Sequence, residues 1–284
     1  MNATFDVDSK QVDDDVRRAL AEDLDQRGDV SAQLLASGDS FHVQIISREV
    51  AVICGLPWLS HVFLSLDANV EIELHVKEGQ QVDADTVLCT LSGPAGVLLS
   101  GERTALNFVQ LLSATATQAR RYVDAVKGLN VNILDTRKTL PGLRYAQKYA
   151  ARVGGCVNHR MGLYDAVLLK ENHISAAGGI TQALQRALQQ YQDIPVEIEV
   201  ESLDELREAL AAGGQRIMLD NFNLEAIREA VRINAGRARL EVSGDVTLDN
   251  IRAIAETGVD DISIGAITKH VKAIDLSMLA RKQP

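Results

Sequence analysis

The sequence predicts an α/β fold whose larger part is a smaller or incomplete βα-barrel, with its active site at the C-terminal ends of the strands. From about residue 115, apolar runs alternate with helical segments in five to six units of about 25 residues, too few for a full eight-stranded barrel. Most of these runs also end in polar or charged residues, where barrels carry their chemistry. The runs are NVNILDT, DAVLLK, VEIEVE, RIMLD, RLEVSG and DISIGAI.

The composition limits the functions open to the chain. Its 284 residues suffice for one large or two medium domains, and 46% hydrophobic content permits a sizeable core. A net charge of -10 disfavours non-specific nucleic-acid binding. The three cysteines lack metal-ligand or disulfide spacing, which fits a reducing, cytoplasmic location. We expect neither a signal peptide nor a transmembrane helix, and therefore no membrane partner.

The N-terminal region predicts a mixture of helices and strands. Apolar residues recur every four positions over 11–24, which indicates an amphipathic helix. Alternating β-branched residues predict strands over 41–54, and a short helix opens near Pro57. Residues 70–102 resemble the half-barrel rhythm of biotinyl and lipoyl domains, but no lysine occupies the expected tip. We therefore interpret that segment as architecture.

The domain boundary is predicted from a change of pattern. A long helical stretch over 102–128 allows two helices that break near Ser113. The alternation of strands and helices begins after it, so the predicted domains are 1–114 and 115–269. The last segment, 270–284, is predicted to pack back on the N-terminal domain.

A basic cluster accompanies the first two barrel strands. Arg137 and Lys138 follow the first strand directly. His159 and Arg160 lie just ahead of the next strand, which ends at Lys170. A single Arg-Lys pair after a strand is more often a solvated loop, but the recurrence favours an anion site. Arginine suits bidentate contacts with a carboxylate or phosphate, and lysine supplies a point charge.

Carboxylates mark the next two strands. Glu197, Glu199 and Glu201 share one face of a strand, so at least one is expected to point to the barrel mouth. Asp220 ends the following strand, which places two carboxylates side by side at one rim. Such a pair can hold ribose hydroxyls, coordinate Mg²⁺ or stabilise an oxocarbenium-like carbon. A single inward glutamate is as often a structural ion pair.

Glycines end the last two strands. Ser243-Gly244 and Gly265 lie where each strand turns into a helix, so backbone N–H groups can face an anion. One glycine in such a turn is weak evidence, but two successive ones favour a phosphate site, a recurring feature of the last barrel loops.

Taken together, the motifs resemble those of a known family. The chain carries the blocks DTRKTLPGLR, NHRMGLYDAVLLKENHI, VEIEVES, MLDNF, EVSGDV and ISIGAITKHVKAIDLSM, preceded by ALAEDLDQRGDVSA and ERTALNFVQLLS. These resemble the signature blocks of quinolinate phosphoribosyltransferase, also called nicotinate-nucleotide pyrophosphorylase (carboxylating), over nearly the whole chain. The resemblance implies an N-terminal α/β sandwich domain, an incomplete six- to seven-stranded α/β barrel and at least a homodimer.

The resemblance also implies a reaction. Quinolinate and phosphoribosyl pyrophosphate would give nicotinate mononucleotide, pyrophosphate and carbon dioxide, with Mg²⁺, in de novo NAD biosynthesis. Pyrophosphate departure leaves positive charge at ribose C1, which nearby carboxylates stabilise. The pyridine nitrogen then attacks, and carbon dioxide leaves the carbon beside the cationic nitrogen. Lys138 or a water is expected to deliver the replacing proton.

Residue roles follow from the same resemblance. Arg103 would reach the neighbouring subunit's site, and Mg²⁺ would bind through the substrate, near Glu199 and Asp220, without direct protein ligands. The implied catalytic residues are Lys138, Lys170, Glu199 and Asp220. The implied substrate-binding residues are Arg103, Thr136, Arg137, Lys138, His159, Arg160, Lys170, Glu199 and Asp220, with Ser243, Gly244, Asp245, Ile264, Gly265 and Ala266 at the 5-phosphate.

Two positions depart from the family pattern. Cys156 stands where glycine is common, which predicts a stiffer loop before His159. Asp245 stands where glycine or asparagine is common, and its charge would repel a phosphate. We therefore expect Asp245 to cap a helix starting near Thr247 and Asp245→Asn to leave the KM for phosphoribosyl pyrophosphate nearly unchanged.

Other functions fit the sequence less well. The nearest alternative is a paralogous phosphoribosyltransferase or pyrophosphorylase acting on another base, of the type associated with molybdenum-transport operons. The full basic set argues instead for a dicarboxylate. A carrier module over 70–102 would need the missing lysine, and a non-catalytic barrel would gain nothing from desolvating its charged rim residues.

Overall fold

The computed structural model describes residues 6–35 and 40–280, which form two compact units. The first unit combines the residues up to Ala119 with Leu140–Gly154 and the residues from His270 onward. The second combines Arg120–Thr139 with Gly155–Lys269. The inclusion of Leu140–Gly154 in the first unit is not evident from the order of strands and helices in the sequence.

Helices and strands occur throughout the described residues. The helices are α1 (Ser9–Leu24), α2 (Leu56–Leu66), α3 (Ala95–Ala125), α4 (Arg144–Val153), α5 (Glu171–Ala177), α6 (Ile180–Gln190), α7 (Leu203–Ala211), α8 (Leu224–Asn234), α9 (Ile251–Ala255) and α10 (Ala266–Lys269). The strands are β1 (Ser40–Ser47), β2 (Ala51–Val52), β3 (Glu71–Leu74), β4 (Gln81–Val82), β5 (Thr86–Pro94), β6 (Asn132–Leu134), β7 (Val167–Leu169), β8 (Val196–Val200), β9 (Arg216–Asp220), β10 (Arg239–Ser243), β11 (Asp261–Ser263) and β12 (Leu276–Ala280).

The first unit contains an antiparallel sheet in the order β12-β1-β5-β3 and the short pair β2-β4. The apolar faces of these strands and of α1 and α2 meet in one core, in which Trp58 and Phe63 are fully buried. Helix α2 begins near Pro57, as predicted, because proline has no backbone N–H to satisfy in the first turn. Strand β12 pairs with β1, with Met278 opposite Ile45.

Helix α3 corrects one expectation, because it is a single helix of 31 residues without a break at Ser113. The Ser113 hydroxyl is fully buried. It accepts a hydrogen bond from the Cys54 N–H at 2.9 Å and donates to the Cys54 carbonyl at 3.1 Å. Because the hydroxyl is satisfied by a neighbouring segment, the helix does not have to open there.

The second unit confirms the incomplete barrel. Its six strands are parallel and follow the order β6-β11-β10-β9-β8-β7 within the described residues. Beyond β6, Val157 forms a single parallel bridge to Leu134. Parallel strands with helices between them align all their C-terminal ends at one edge of the sheet, which is where the predicted site residues lie.

Side-chain caps begin two of the barrel helices. Ser202 accepts from the Glu205 N–H at the start of α7, and Asn223 accepts from the Ala226 N–H at the start of α8. These caps satisfy backbone donors that have no partner within the helix. Among residues 6–35 and 40–280, we find no helix with the length and apolar character needed to cross a membrane.

Candidate active site

A cavity of about 150 Å³ opens at the C-terminal ends of the barrel strands. Its lining combines four basic side chains, one histidine, one acid and several hydroxyls. The lining residues are Thr136, Arg137, Lys138, His159, Arg160, Leu168, Lys170, Met218, Glu241, Ser243 and Ser263. Seven residues of the predicted substrate site are therefore brought together in one pocket of the second unit.

Two arginines on the pocket wall point to an anionic ligand. The buried Nε of Arg137 has no hydrogen-bond partner within the described residues. Arg160 donates from Nη1 to the Ala166 carbonyl at 3.2 Å. Burial and the neighbouring Arg137 lower the pKa of Arg160. A buried donor without a partner and two adjacent like charges would both be relieved by a bound carboxylate or phosphate.

His159 is positioned by hydrogen bonds at its backbone N–H and Nδ1, and its Nε2 faces two acids. Its N–H donates to Asp135 Oδ1 at 2.9 Å, and its Nδ1 accepts from the Arg160 N–H at 2.7 Å. Its Nε2 lies 3.2 Å from Glu197 Oε2 and 3.4 Å from Glu241 Oε2. We call His159, Glu197 and Glu241 the pocket floor, because both glutamates are almost fully buried.

The pocket floor binds protons tightly. Burial lowers the pKa of His159, but Glu197 and Glu241 outweigh it and raise that pKa to about 9. Burial raises the pKa of Glu241, and nearby Glu197 adds to this, whereas His159 opposes it. Because His159 and Glu241 interact directly, their raised pKa values describe one additional proton that the pair keeps at neutral pH.

The pocket floor has the spacing of a metal site but not its hydrogen bonding. One potential ligand atom from each residue lies within 4.8 Å of the others. A metal-bound histidine normally donates its second ring N–H to an acceptor. Here Nδ1 accepts a backbone N–H, so the ring proton is on Nε2, the atom that faces the carboxylates. The arrangement therefore does not fit a metal ion.

The predicted carboxylates lie at the C-terminal ends of β8 and β9. Glu199 forms an ion pair with Lys170. Asp220 accepts from Asn221 Nδ2 at 2.8 Å. Burial raises the pKa of Asp220, as does Glu199, whereas Lys170 and Lys138 lower it. We call Lys170, Glu199 and Asp220 the pocket rim.

In the loops after β10 and β11, Gly244 and Gly265 let the backbone lie close to neighbouring side chains. Gly244 has φ +99°, and a Cβ atom there would overlap Asn221 Oδ1. At Gly265 a Cβ atom would lie 2.9 Å from Lys138 Cδ, so glycine makes room for that side chain. The Ile264 N–H donates to the Leu134 carbonyl at 3.0 Å and is not free for a phosphate. Ala266 is the first residue of α10.

The expected cap by Asp245 is wrong. The helix begins at Ile251, not near Thr247. Asn250 accepts from the Thr247 N–H at 2.8 Å and donates to the Asp245 carbonyl at 3.0 Å. Asp245 itself adopts φ +45° and is exposed. It raises the pKa of Asp220, which means that its charge acts on the pocket rim.

Arg103 belongs to the first unit. It lines a cavity of about 410 Å³ formed by residues of the first unit, with Asp15, Arg18 and Asn107 among its neighbours. Among the described residues that line the barrel cavity, Arg103 does not occur.

The sequence motifs do not predict the pocket floor as a cluster. His159 is a predicted substrate-binding residue, but Glu197 stands out only as one of three acids on a strand face, and Glu241 is not a predicted site residue. Strand alternation carried the signal, since Glu241 is two residues before Ser243 on β10, as Glu197 is two before Glu199 on β8. Acids on the inward face of two barrel strands are expected to meet.

Fold and site together define a barrel enzyme that binds a small anion at the ends of its strands. The model of the quinolinate phosphoribosyl transferase C-terminal domain matches residues 115–279, and that of the N-terminal domain matches residues 29–113. The chain belongs to the quinolinate phosphoribosyltransferase family, as the sequence motifs predicted.

Individual relatives agree with this assignment. The chain is 45% identical to the probable nicotinate-nucleotide pyrophosphorylase [carboxylating] of Synechocystis, over 94% of this chain and 92% of the relative. The corresponding Bacillus subtilis protein is 40% identical, over 88% of this chain and 87% of its own length. The solved nicotinate-nucleotide pyrophosphorylase of Francisella tularensis matches with a TM-score of 0.94 and 46% identity, covering 99% of this chain and 100% of that one.

Proposed function

We propose that the chain transfers phosphoribosyl from phosphoribosyl pyrophosphate to quinolinate with loss of carbon dioxide, a step of NAD biosynthesis. The products are nicotinate mononucleotide and pyrophosphate. The observation that carries this is the pair Arg137 and Arg160, which face one small pocket with a buried donor unused. A dicarboxylate would satisfy this donor and the two adjacent charges together.

The basic wall is proposed to bind quinolinate. Arg137 and Arg160 take the two carboxylates, and Lys138 and Lys170 add charge at the mouth. His159 acts through Arg160, because its Nδ1 accepts the Arg160 N–H and both ring nitrogens already face protein atoms. Thr136 completes this wall and accepts the Lys138 N–H at 3.1 Å.

The pocket rim is proposed to serve the ribosyl transfer. Departure of pyrophosphate leaves positive charge at ribose C1, and the Glu199 and Asp220 carboxylates stabilise it. Lys170 attracts the leaving pyrophosphate and returns to Glu199 when it has left. The 5-phosphate would lie at the loops after β10 and β11, which are formed by Ser243, Gly244, Asp245, Ile264, Gly265 and Ala266.

Mg²⁺ is proposed as the metal of this reaction. The raised pKa of Asp220, which Glu199 and Asp245 help to cause, supports a cation beside these acids. We expect Glu199 and Asp220 to hold it through water or substrate oxygens. When bound, Mg²⁺ would neutralise charge on the pyrophosphate.

We further propose a cytoplasmic homodimer in which Arg103 completes the partner's site. Arg103→Ala and Lys170→Ala, each inactive alone, should regain part of the activity when mixed, because one kind of mixed site would carry neither change. Native mass spectrometry would verify subunit exchange. Exchange without any regained activity would mean that Arg103 serves its own subunit.

A direct assay tests the main proposal. Purified protein with quinolinate, phosphoribosyl pyrophosphate and Mg²⁺ should release carbon dioxide and form nicotinate mononucleotide. Turnover of another base but not of quinolinate would favour the paralogous enzyme of the molybdenum-transport type. The carboxylating names of the relatives do not favour that alternative.

A further inference from the structure

Glu241 is an unusual wall residue for an anion pocket. It is 1% exposed, and it is the one acid among the described residues that line the cavity. Neither of its carboxyl oxygens has a hydrogen-bond partner of good geometry among the described residues. An ionised carboxylate there would be poorly solvated and would repel a dicarboxylate substrate.

The hydrogen bonds of His159 decide where the protons of the pocket floor sit. Because Nδ1 accepts the Arg160 N–H, the ring carries its proton on Nε2 and is neutral. That single N–H faces both Glu197 and Glu241, at distances longer than the roughly 2.7–2.9 Å of a charge-assisted bond. Two ionised carboxylates this deeply buried would have only this neutral N–H and the Ser263 hydroxyl near Glu241 to stabilise them, which is strongly unfavourable.

The additional proton is therefore on a carboxyl group, and the geometry selects Glu241. Glu197 Oε2 is closer to the His159 N–H than Glu241 Oε2 is, so Glu197 is the better-stabilised anion. Glu241 also faces the cavity, whereas Glu197 does not line it. A neutral carboxylic acid can donate its O–H to whatever occupies the pocket.

We propose that Glu241 is the proton donor that replaces the lost carboxyl group on the pyridine ring. This inference rests on the proposed function. The bond between the ring carbon and the carboxyl group breaks, carbon dioxide leaves, and the electron pair stays on the carbon beside the cationic nitrogen. The Glu241 O–H bond then breaks, its proton takes up that pair, and the Glu241 carboxylate remains beside the His159 N–H. A proton from solvent restores the acid.

This donor differs from the one expected from the sequence, Lys138. Lys138 is exposed and lies against Gly265 at the mouth, where its charge suits an oxyanion. Glu241 is buried and lies where a neutral acid is favoured, which matches proton transfer to a carbanion better than a solvated ammonium does.

Kinetics of Glu241→Gln test the proposal. We expect kcat with quinolinate to fall by roughly 10²–10⁴, the usual contribution of a positioned acid. The quinolinate Kd, titrated without phosphoribosyl pyrophosphate, should change by less than about tenfold, because the amide keeps the shape of the side chain. Glu241→Asp should restore part of kcat, since it retains the acid.

Two variants separate a proton donor from a structural acid. Glu197→Gln alters an equally buried neighbour that does not line the cavity, so its loss of kcat should be at least about tenfold smaller. Glu256→Gln, on an exposed carboxylate paired with Arg252, should leave kcat unchanged. Equal losses in Glu197→Gln and Glu241→Gln would overturn the proposal, as would a loss in Lys138→Ala matching that of Glu241→Gln with quinolinate affinity intact.

Infrared spectroscopy tests the proton itself, independently of turnover. The wild type at neutral pH should show the C=O band of a buried protonated carboxyl group, and Glu241→Gln should lack it. Absence of the band from the wild type would overturn the inference, as would a divalent metal found by elemental analysis in the wild type and lost in Glu241→Gln. A wild type with the band but no turnover of quinolinate would instead refute the proposed function. Turnover with kcat kept in Glu241→Gln would refute the donor role alone.

Discussion

The pocket rim and the pocket floor both combine acids with a basic group, but they differ in how far solvent reaches their charged side chains. At the rim, the Lys170 side chain is 48% exposed, and water shares in solvating its pair with Glu199. At the floor, the Glu197 and Glu241 side chains are 4% and 1% exposed, and their charge is opposed chiefly by His159, with the Ser263 hydroxyl near Glu241. The rim can therefore exchange its partners for a substrate at little cost, whereas the floor must keep its protons and its geometry.

Removing the central group of the floor should have the largest effect on stability. His159→Ala leaves two buried acids without their N–H, and we expect the free energy of unfolding to fall by about 3–5 kcal/mol. Urea denaturation measures this. The matched rim variant, Lys170→Ala, should lose less, about 1 kcal/mol, because the Lys170 side chain is 48% exposed, even though that of Glu199 is 10% exposed. Equal losses would erase the distinction between rim and floor.

A change at the rim should affect kcat strongly and the free energy of unfolding little. Glu199→Gln removes charge facing the proposed ribosyl cation, so kcat should fall by roughly 10²–10³. The free energy of unfolding should change by less than about 1 kcal/mol. Steady-state kinetics and urea denaturation on one preparation check both values. A marked loss of stability would mean that the rim is also structural.

The pH dependence of stability should report on the floor. On folding, Glu197 and Glu241 outweigh burial and raise the pKa of His159 from 6.5 to about 9, and the proton concerned is the one that His159 and Glu241 share, so the folded protein binds that proton more tightly. The resulting stabilisation is complete below pH 6.5 and is lost as the pH rises to about 9. The Tm advantage of the wild type over Glu241→Gln should therefore shrink across this range. A Tm difference between wild type and Glu241→Gln that grows with pH would contradict the inference that the floor shares a proton.

The smallest effect is expected at Asp245. Its exposed carboxylate is close enough to raise the pKa of Asp220. Asp245→Asn removes that charge, so the KM for phosphoribosyl pyrophosphate should fall, by less than about tenfold because solvent screens it. Steady-state kinetics at low and high salt would test this, and the difference should narrow with salt. An unchanged KM at low salt would mean that the charge does not reach the phosphate.

The sequence predicted the rim more fully than the floor for a physical reason. Lys170, Glu199 and Asp220 end their strands, so the break from apolar to charged residues is visible along the chain. Glu241 lies inside RLEVS, where only alternation marks it, and its partner His159 is on a loop far away in sequence. A contact between a strand interior and a distant loop leaves no local pattern.

For the fold as well, features with a local sequence pattern were predicted and features set by distant contacts were not. Regular alternation predicted the barrel strands, and Pro57 predicted the start of α2. Ser113 was expected to break the long helix, but its hydroxyl bonds to Cys54, which is 59 residues away and cannot be identified from the local sequence. Asp245 suggested a cap because local preference favours it, but Asn250 bonds to Thr247 instead. In each case a specific tertiary or loop contact overrode a local preference.

Gly244 links two loops that the sequence keeps apart. Its bare backbone admits the Asn221 side chain, the Asn221 N–H donates to the Ser243 carbonyl, and the Asn221 amide holds Asp220. The turns after β9 and β10 are thus mechanically coupled. A ligand that shifts the second turn is therefore expected to move Asn221 and, through its amide, the Asp220 carboxylate.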